Sequence, residues 1–170
     1  MANEDLLNPG KWSDNLQPMR QDNWFLEFPD VNGNQIPAYT CMSAGRPKLS
    51  NEEVEIPFMN NTAYFKGKSK WETLDIVLRT PISEALALRV MEWIMLHHDA
   101  ESGVDGYKSE YAKDITLKLT SPLGTTIESW RLHQCWITNS DFGSLDMSSA
   151  DAVEISLTLR FDYAVLELSQ

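Results

Sequence analysis

The C-terminal part of the chain alternates without a slip. In "VEISLTLRFDY", Val153, Ile155, Leu157, Leu159, Phe161 and Tyr163 fall on one side, and Glu154, Ser156, Thr158, Arg160 and Asp162 on the other. Eleven residues of period two predict a half-buried antiparallel strand with one wet face. The same period recurs upstream. In "WETLDIVLR", Glu72, Leu74, Ile76 and Leu78 share the face that packs inward, and in "DITLKLT" it is Ile115, Leu117 and Leu119. "GTTIESWRLHQCWITN" predicts a long strand with Trp130, Leu132 and Trp136 on one face, and Gln134 breaks the pattern. "NWFLEF" (Asn23–Phe28) and "EEVEIPF" predict two short strands. Asn32-Gly33 predicts a tight hairpin turn, because both central residues of such a turn need positive φ. "QIPAYTCMSA" is the return strand, with an edge or bulge at Pro37.

One segment has the helical period instead. Ile82, Leu86, Val90, Trp93 and His97 recur at helix spacing, with Thr80 as N-cap, Pro81 in the first helical position and an end near Asp99. Gly103 and Gly106 punctuate the loop beyond. Residues 1–21 are polar, carry Pro9, Gly10 and Pro18, and show no period, which predicts an extended arm; residues 22–170 form a single β domain. Strands do not alternate with helices, so a doubly wound α/β fold is excluded. The fold class expected is mainly β, a sandwich or half-barrel of antiparallel strands with one flanking helix.

Composition refines this picture. The chain has 170 residues, 42% of them apolar, and a formal net charge of -11. A chain of this length buries roughly 70% of its unfolded surface without staples. Its acidity argues against a general nucleic-acid binder, which carries a basic footprint. Cys41 and Cys135 are far apart and form no C-x-x-C pair, so both are expected to be reduced, buried thiols in a cytoplasmic setting. The acidic N-terminus has no apolar run of the signal-peptide kind. The longest apolar stretch, "EALALRVMEWIML", is interrupted by Arg89 and Glu92 and is too short to span a bilayer, so no membrane insertion is expected.

Candidate chemistry is sparse. His97 and His98 are adjacent on a helix, diverge by about 100° and do not chelate one metal together. Both read as helix-end histidines favoured by the dipole. His133 and Cys135 lie two residues apart on one strand face, but a nucleophile pair without an orienting third group is no catalytic site. "DVNGN" resembles the start of a calcium loop, yet Gly33 stands at its fourth position and Cys41 at its twelfth, where the loop needs Gly at the sixth and Glu at the twelfth. There is no P-loop, dinucleotide fingerprint or nucleophile elbow. No catalytic residue, metal or cofactor is expected.

The exception to the acidic pattern is "FMNNTAYFKGKSKW", which carries Lys66, Lys68 and Lys70 and no acid. As a strand it would line one face with lysine. Gly67 and Ser69 are poor strand residues, so a loop or protruding hairpin tip fits as well. The segment is either a solvated basic tip or a contact for an acidic protein surface. Phosphate contact is the weakest reading, since three lysines in a repulsive field hold polyanions poorly.

The order of these features resembles the tail tube protein family of contractile-tailed bacteriophages, with its Hcp-like tube fold. The resemblance is carried by "IPFMNN" before the basic stretch, and by "WETLDIVL" running into a helix with "EW". It continues with Cys135-Trp136-Ile137-Thr138-Asn139 before "GSLD", and with the closing strand ending "LRFDY". It covers residues 22–165. Ile137 stands where the family often has Pro, the arm differs, and the chain runs on past Tyr163. The resemblance implies a ring-forming chain whose hexameric rings stack into a hollow tube inside a contractile sheath. The partners implied are further copies of itself, tail sheath, baseplate and tape-measure proteins, with DNA passing the lumen without specific binding. The location implied is the virion tail, assembled in the host cytoplasm. It also implies that the lysine segment reaches toward an adjacent ring, which makes Lys66, Lys68 and Lys70 candidate inter-subunit contacts with a neighbour's carboxylates. Related rings occur in contractile injection systems and as tube initiators or terminators. A reading of a different class is a monomeric β-sandwich binding module that uses the face around Trp130 and Trp136.

Overall fold

The computed structural model describes residues 18–168, so most of the predicted arm, residues 1–17, lies outside the described residues. The spine of the fold is the sixteen-residue strand β9 (Thr126–Asp141). Its first half pairs with β8 (Lys113–Thr120) on one side and β11 (Tyr163–Leu168) on the other. Its second half pairs with β10 (Glu154–Arg160). Beyond β8 lies β1 (Trp24–Glu27), and beyond β10 lie β7 (Leu74–Arg79) and β4 (Cys41–Ala44), all antiparallel. The end strands β1 and β4 do not hydrogen-bond to each other, so the curled sheet is an open half-barrel. A groove of about 470 Å³ runs along the open seam between Trp24 and Met42.

The core follows the alternation. Leu74, Ile76 and Leu78 from β7 and Ile155, Leu157 and Leu159 from β10 are buried together with Leu26, Ile115, Leu117 and Leu132 from the other half of the sheet. Helix α1 (Leu86–Met95) covers this layer with Leu86, Val90 and Trp93, the face that its period predicts. The mainly antiparallel β architecture with a flanking helix is as expected.

Local physics redraws several boundaries. α1 starts at Leu86 rather than beyond Thr80. The Thr80 N–H is held by the Val153 carbonyl at 3.0 Å, and Pro81 to Glu84 close a separate turn, so the chain stays on the sheet before it turns helical. The Thr80 hydroxyl is buried without a partner and caps nothing, while Ile82 is fully exposed. The helix also stops at Met95, short of Asp99. Among later elements a four-residue helix, α2 (Lys108–Tyr111), was not foreseen.

The Asn32-Gly33 turn forms as expected between β2 (Asp30–Val31) and β3 (Asn34–Gln35), with φ of 54° and 83°. The predicted return strand is broken, because Pro37 has a fixed φ and no N–H. It instead leads a 3-10 turn over Ala38–Thr40 before β4 begins. The long C-terminal strand is likewise two strands. It breaks at Phe161 and Asp162, opposite a bulge in β9, and Val153 and Tyr163 lie exposed rather than in the core.

Candidate assembly surface

Strands β5 (Leu49–Phe58) and β6 (Asn61–Trp71) form a hairpin that, among the described residues, pairs only with itself. Met59 makes the turn at φ 51°. All ten residues of β5 are exposed, so the hairpin stands off the body. Its base is fixed: Glu72 N–H donates to the Lys48 carbonyl at 2.9 Å, and Trp71 packs against Phe161 at 5.8 Å. A two-stranded hairpin is marginal alone in water.

The lysine segment is therefore strand, not loop. The strand does not present three lysines on one face. Asn51 pairs with Ser69, and Glu53 with Lys66, so Gly67 and Lys68 together oppose Glu52 in a bulge. The extra residue reverses the alternation. Lys66 shares a face with Glu53, whereas Lys70, opposite Ser50, lies on the other face with Lys68. Gly67 fits closely there: a Cβ would sit 3.0 Å from the Glu52 carbonyl oxygen, so a larger residue would push the two strands slightly apart.

The register also shows a face that sequence reading missed. Val54 lies opposite Phe65, Ile56 opposite Ala63, and Phe58 opposite Asn61. Val54, Ile56, Phe58 and Phe65 are thus one exposed apolar strip, continuous with Lys68 and Lys70 near the base. The signal is present in the alternation of "EEVEIPF", which looks like an ordinary core strand, but among the described residues no core lies beneath its inner side.

The other candidate residues do not converge. Gln134 bulges β9 with a positive φ of 57°, so the buried set moves from Leu132 to Cys135 and Ile137. His133 and Cys135 consequently end on opposite faces. His133 Nδ1 meets Asp114 Oδ2 at 2.9 Å and its ring stacks on Tyr163 at 4.5 Å, while the Cys135 thiol is sealed in the core. Burial, reinforced by the Asp114 charge, pushes that thiol up to about 12, and burial does the same to Cys41. Neither is a nucleophile at neutral pH. Trp130 and Trp136 are also parted: Trp130 packs on the core, and Trp136 meets His97 and Tyr111 edge-on at 6.1 Å from each on the outer face. His97 Nε2 is buried there without a partner, and His98 pairs with Asp105 at 2.8 Å. Among the described residues, no three His, Cys, Asp or Glu side chains gather to hold a metal. Among them also, no helix is long and apolar enough to cross a membrane.

No protein-family model matches the chain, and no curated protein matches it in sequence. Solved structures do match. The tube-terminating cap of the anti-feeding prophage has a TM-score of 0.70 at 17% identity, over 90% of this chain and 93% of the other. The sheath/tube terminator of an extracellular contractile injection system, PVC, in its extended state has a TM-score of 0.70 at 20% identity, over 89% and 97%. Hcp1 from Flavobacterium johnsoniae has a TM-score of 0.51 at 11% identity, over 86% and 95%. The half-barrel and its flanking helix are thus the tube fold of contractile injection systems, and this chain has that fold.

Proposed function

We propose that this chain is a structural, non-enzymatic tube subunit. Copies close into hexameric rings, and rings stack into the hollow tail tube through which a genome leaves a contractile tail. Its partners are its own copies, the sheath, the baseplate and the tape-measure protein, and its place is the virion tail. The observation that carries this reading is the stand-off hairpin with an uncovered apolar strip, on a body that has the tube fold. Free edges support ring closure: β1, β4 and β11 each pair on one side only among the described residues, and such edges seek a neighbouring strand. The net charge of -11 suits a conduit that DNA crosses without sticking.

Covering a half-exposed Val, Ile or Phe contributes about 1 kcal/mol per side chain, against roughly 0.2–1 kcal/mol for an exposed ion pair. The apolar strip therefore supplies affinity, and Lys66, Lys68 and Lys70 set register against a neighbour's carboxylates. Replacing all three lysines with Glu should impair stacking, seen by negative-stain imaging, while circular dichroism still reports a folded monomer. Normal tubes from the triple variant would remove the lysines from the interface.

A second reading has its own support. The neighbours with a TM-score of 0.70 include a tube-terminating cap and a sheath/tube terminator, so the chain is alternatively a terminator ring, or the inner tube of a related injection system. Rings that do not stack on themselves would favour the terminator. The opposed faces of Trp130 and Trp136 weigh against a monomeric recognition module built on both.

A further inference from the structure

We infer that the contact of His97 with Tyr111 and Trp136 is an acid-sensitive latch: a proton taken up by the His97 ring drives it out of the contact, and the loop 97–106 lifts away from Trp136. This inference is independent of the ring-and-stack reading.

The latch is built from aromatic rings. α1 ends at Met95, and the His97 and His98 N–H groups both donate to the Ile94 carbonyl, at 3.0 and 3.1 Å. The His97 ring lies 5.7 Å from Tyr111 and 6.1 Å from Trp136, edge to face with both. Tyr111 and Trp136 meet each other in the same way at 6.1 Å. Edge-to-face packing of this kind favours the neutral imidazole. His97 Nε2 is sealed there without a hydrogen-bond partner. An imidazolium donates from both nitrogens, and a buried donor with no acceptor is costly.

The groups around the ring do not relieve such a charge. His98, its chain neighbour, repels it when protonated, and Asp105, across the loop, opposes that repulsion. The exposed Asp105 carboxylate is already held by His98 Nδ1 at 2.8 Å. α2 presents the Tyr111 phenol and the exposed Glu110, which lies beside Gly106, and β9 presents the uncharged Trp136. Among the described residues His97 pairs with no carboxylate, unlike His98 and His133.

The connections decide which part moves. His98 and Asp105 form an antiparallel bridge, and the Asp99 N–H donates to the Val104 carbonyl at 3.0 Å, so the loop keeps its own shape. α2 is tied to the body separately: Trp93 Nε1–H donates to the Tyr111 carbonyl at 2.9 Å, and Lys108 meets Asp162 at 2.5 Å. Loss of the His97 contact therefore frees loop 97–106 as a unit. It widens the cavity of about 320 Å³ in front of Trp136 and Tyr111. The open loop puts His97 in water, where the ordinary value of 6.5 applies, and the closed contact holds it lower. Protons therefore favour the open form as pH falls through the window below 6.5.

The test follows the full chain by nuclear magnetic resonance. Between about pH 7.5 and pH 5, exchange of the His97 and His98 amides, corrected for its chemical pH dependence, should rise about three-fold or more. The β7 and β10 amides should keep their protection. The His97 ring and the Trp136 indole should titrate together, with one midpoint below 6.5. His97→Phe keeps an aromatic ring and takes no proton, so the acid response should vanish. His98→Gln removes only the neighbouring charge and should leave the response in place. An equal rise in His97→Phe, no response in His98→Gln, or unchanged exchange in the unaltered protein overturns the latch. So does tighter protection at low pH, which an imidazolium seated on a ring face would give. Loss of β7 and β10 protection in the same window would be global unfolding and overturns it too. If His97→Phe does not fold, the joint titration decides, and separate midpoints for His97 and Trp136 overturn the latch.

Discussion

Gln134 holds a left-handed backbone, φ 57°, inside the sixteen-residue strand β9. Asp114 makes this tolerable by accepting the Gln134 N–H at 3.1 Å while its other oxygen meets His133. The bulge moves one residue out of phase, so Cys135 and Ile137 turn inward and Trp136 outward, until a second shift at Thr138 restores the phase. A left-handed residue costs roughly 1–2 kcal/mol unless it is glycine, and a β-branched one fits worst. Gln134→Gly should therefore leave the urea midpoint unchanged or raise it, whereas Gln134→Val should lower stability by about 1–2 kcal/mol. Equal loss in both would mean that the side chain, not the backbone, matters. The break at Gln134 is visible in the sequence. Its consequence is not, because an interrupted alternation does not say whether the chain skips a residue. The same holds for Gly67: the three lysines look collinear until the bulge opposite Glu52 sends Lys66 to one face and Lys68 and Lys70 to the other.

At the scale of elements, the strands with a buried face were readable and the ends of elements were not. β7, β8 and β10 bury the residues that their alternation selects. The Thr80-Pro81 pair has the composition of a helix start, but the sheet keeps the Thr80 N–H and the helix waits until Leu86. The far end of α1 carries a testable consequence. His97 lies between Tyr111 and Trp136, with Nε2 sealed from water. Burial, with His98 adding to it and Asp105 opposing it, holds its pKa below the ordinary 6.5. Between that lowered value and 6.5 the unfolded chain binds a proton that the folded chain refuses, so this contribution to stability is lost as pH falls through the window. The melting midpoint should fall between about pH 7 and pH 5, and His97→Phe should flatten that part of the profile. A profile of the same slope in the variant would assign the dependence to other groups.

At the scale of the whole molecule, among the described residues the sheet has unpaired edges at β1, β4 and β11, a hairpin with an exposed apolar strip, and a carboxylate-rich segment at residues 141–154. Ring closure and stacking, as proposed, would cover them with other copies. The basic stretch draws attention in the sequence by its charge, and the structure sets an exposed apolar strip beside it. That strip was illegible from one chain, because an alternating strand reads the same whether its inner face meets a core or a neighbour. The most direct measurement is electron microscopy of the purified full chain at high concentration, with sedimentation in parallel. Rings, alone or stacked into tubes, are the result that the account predicts. A monodisperse 19.4 kDa monomer at every concentration would contradict it.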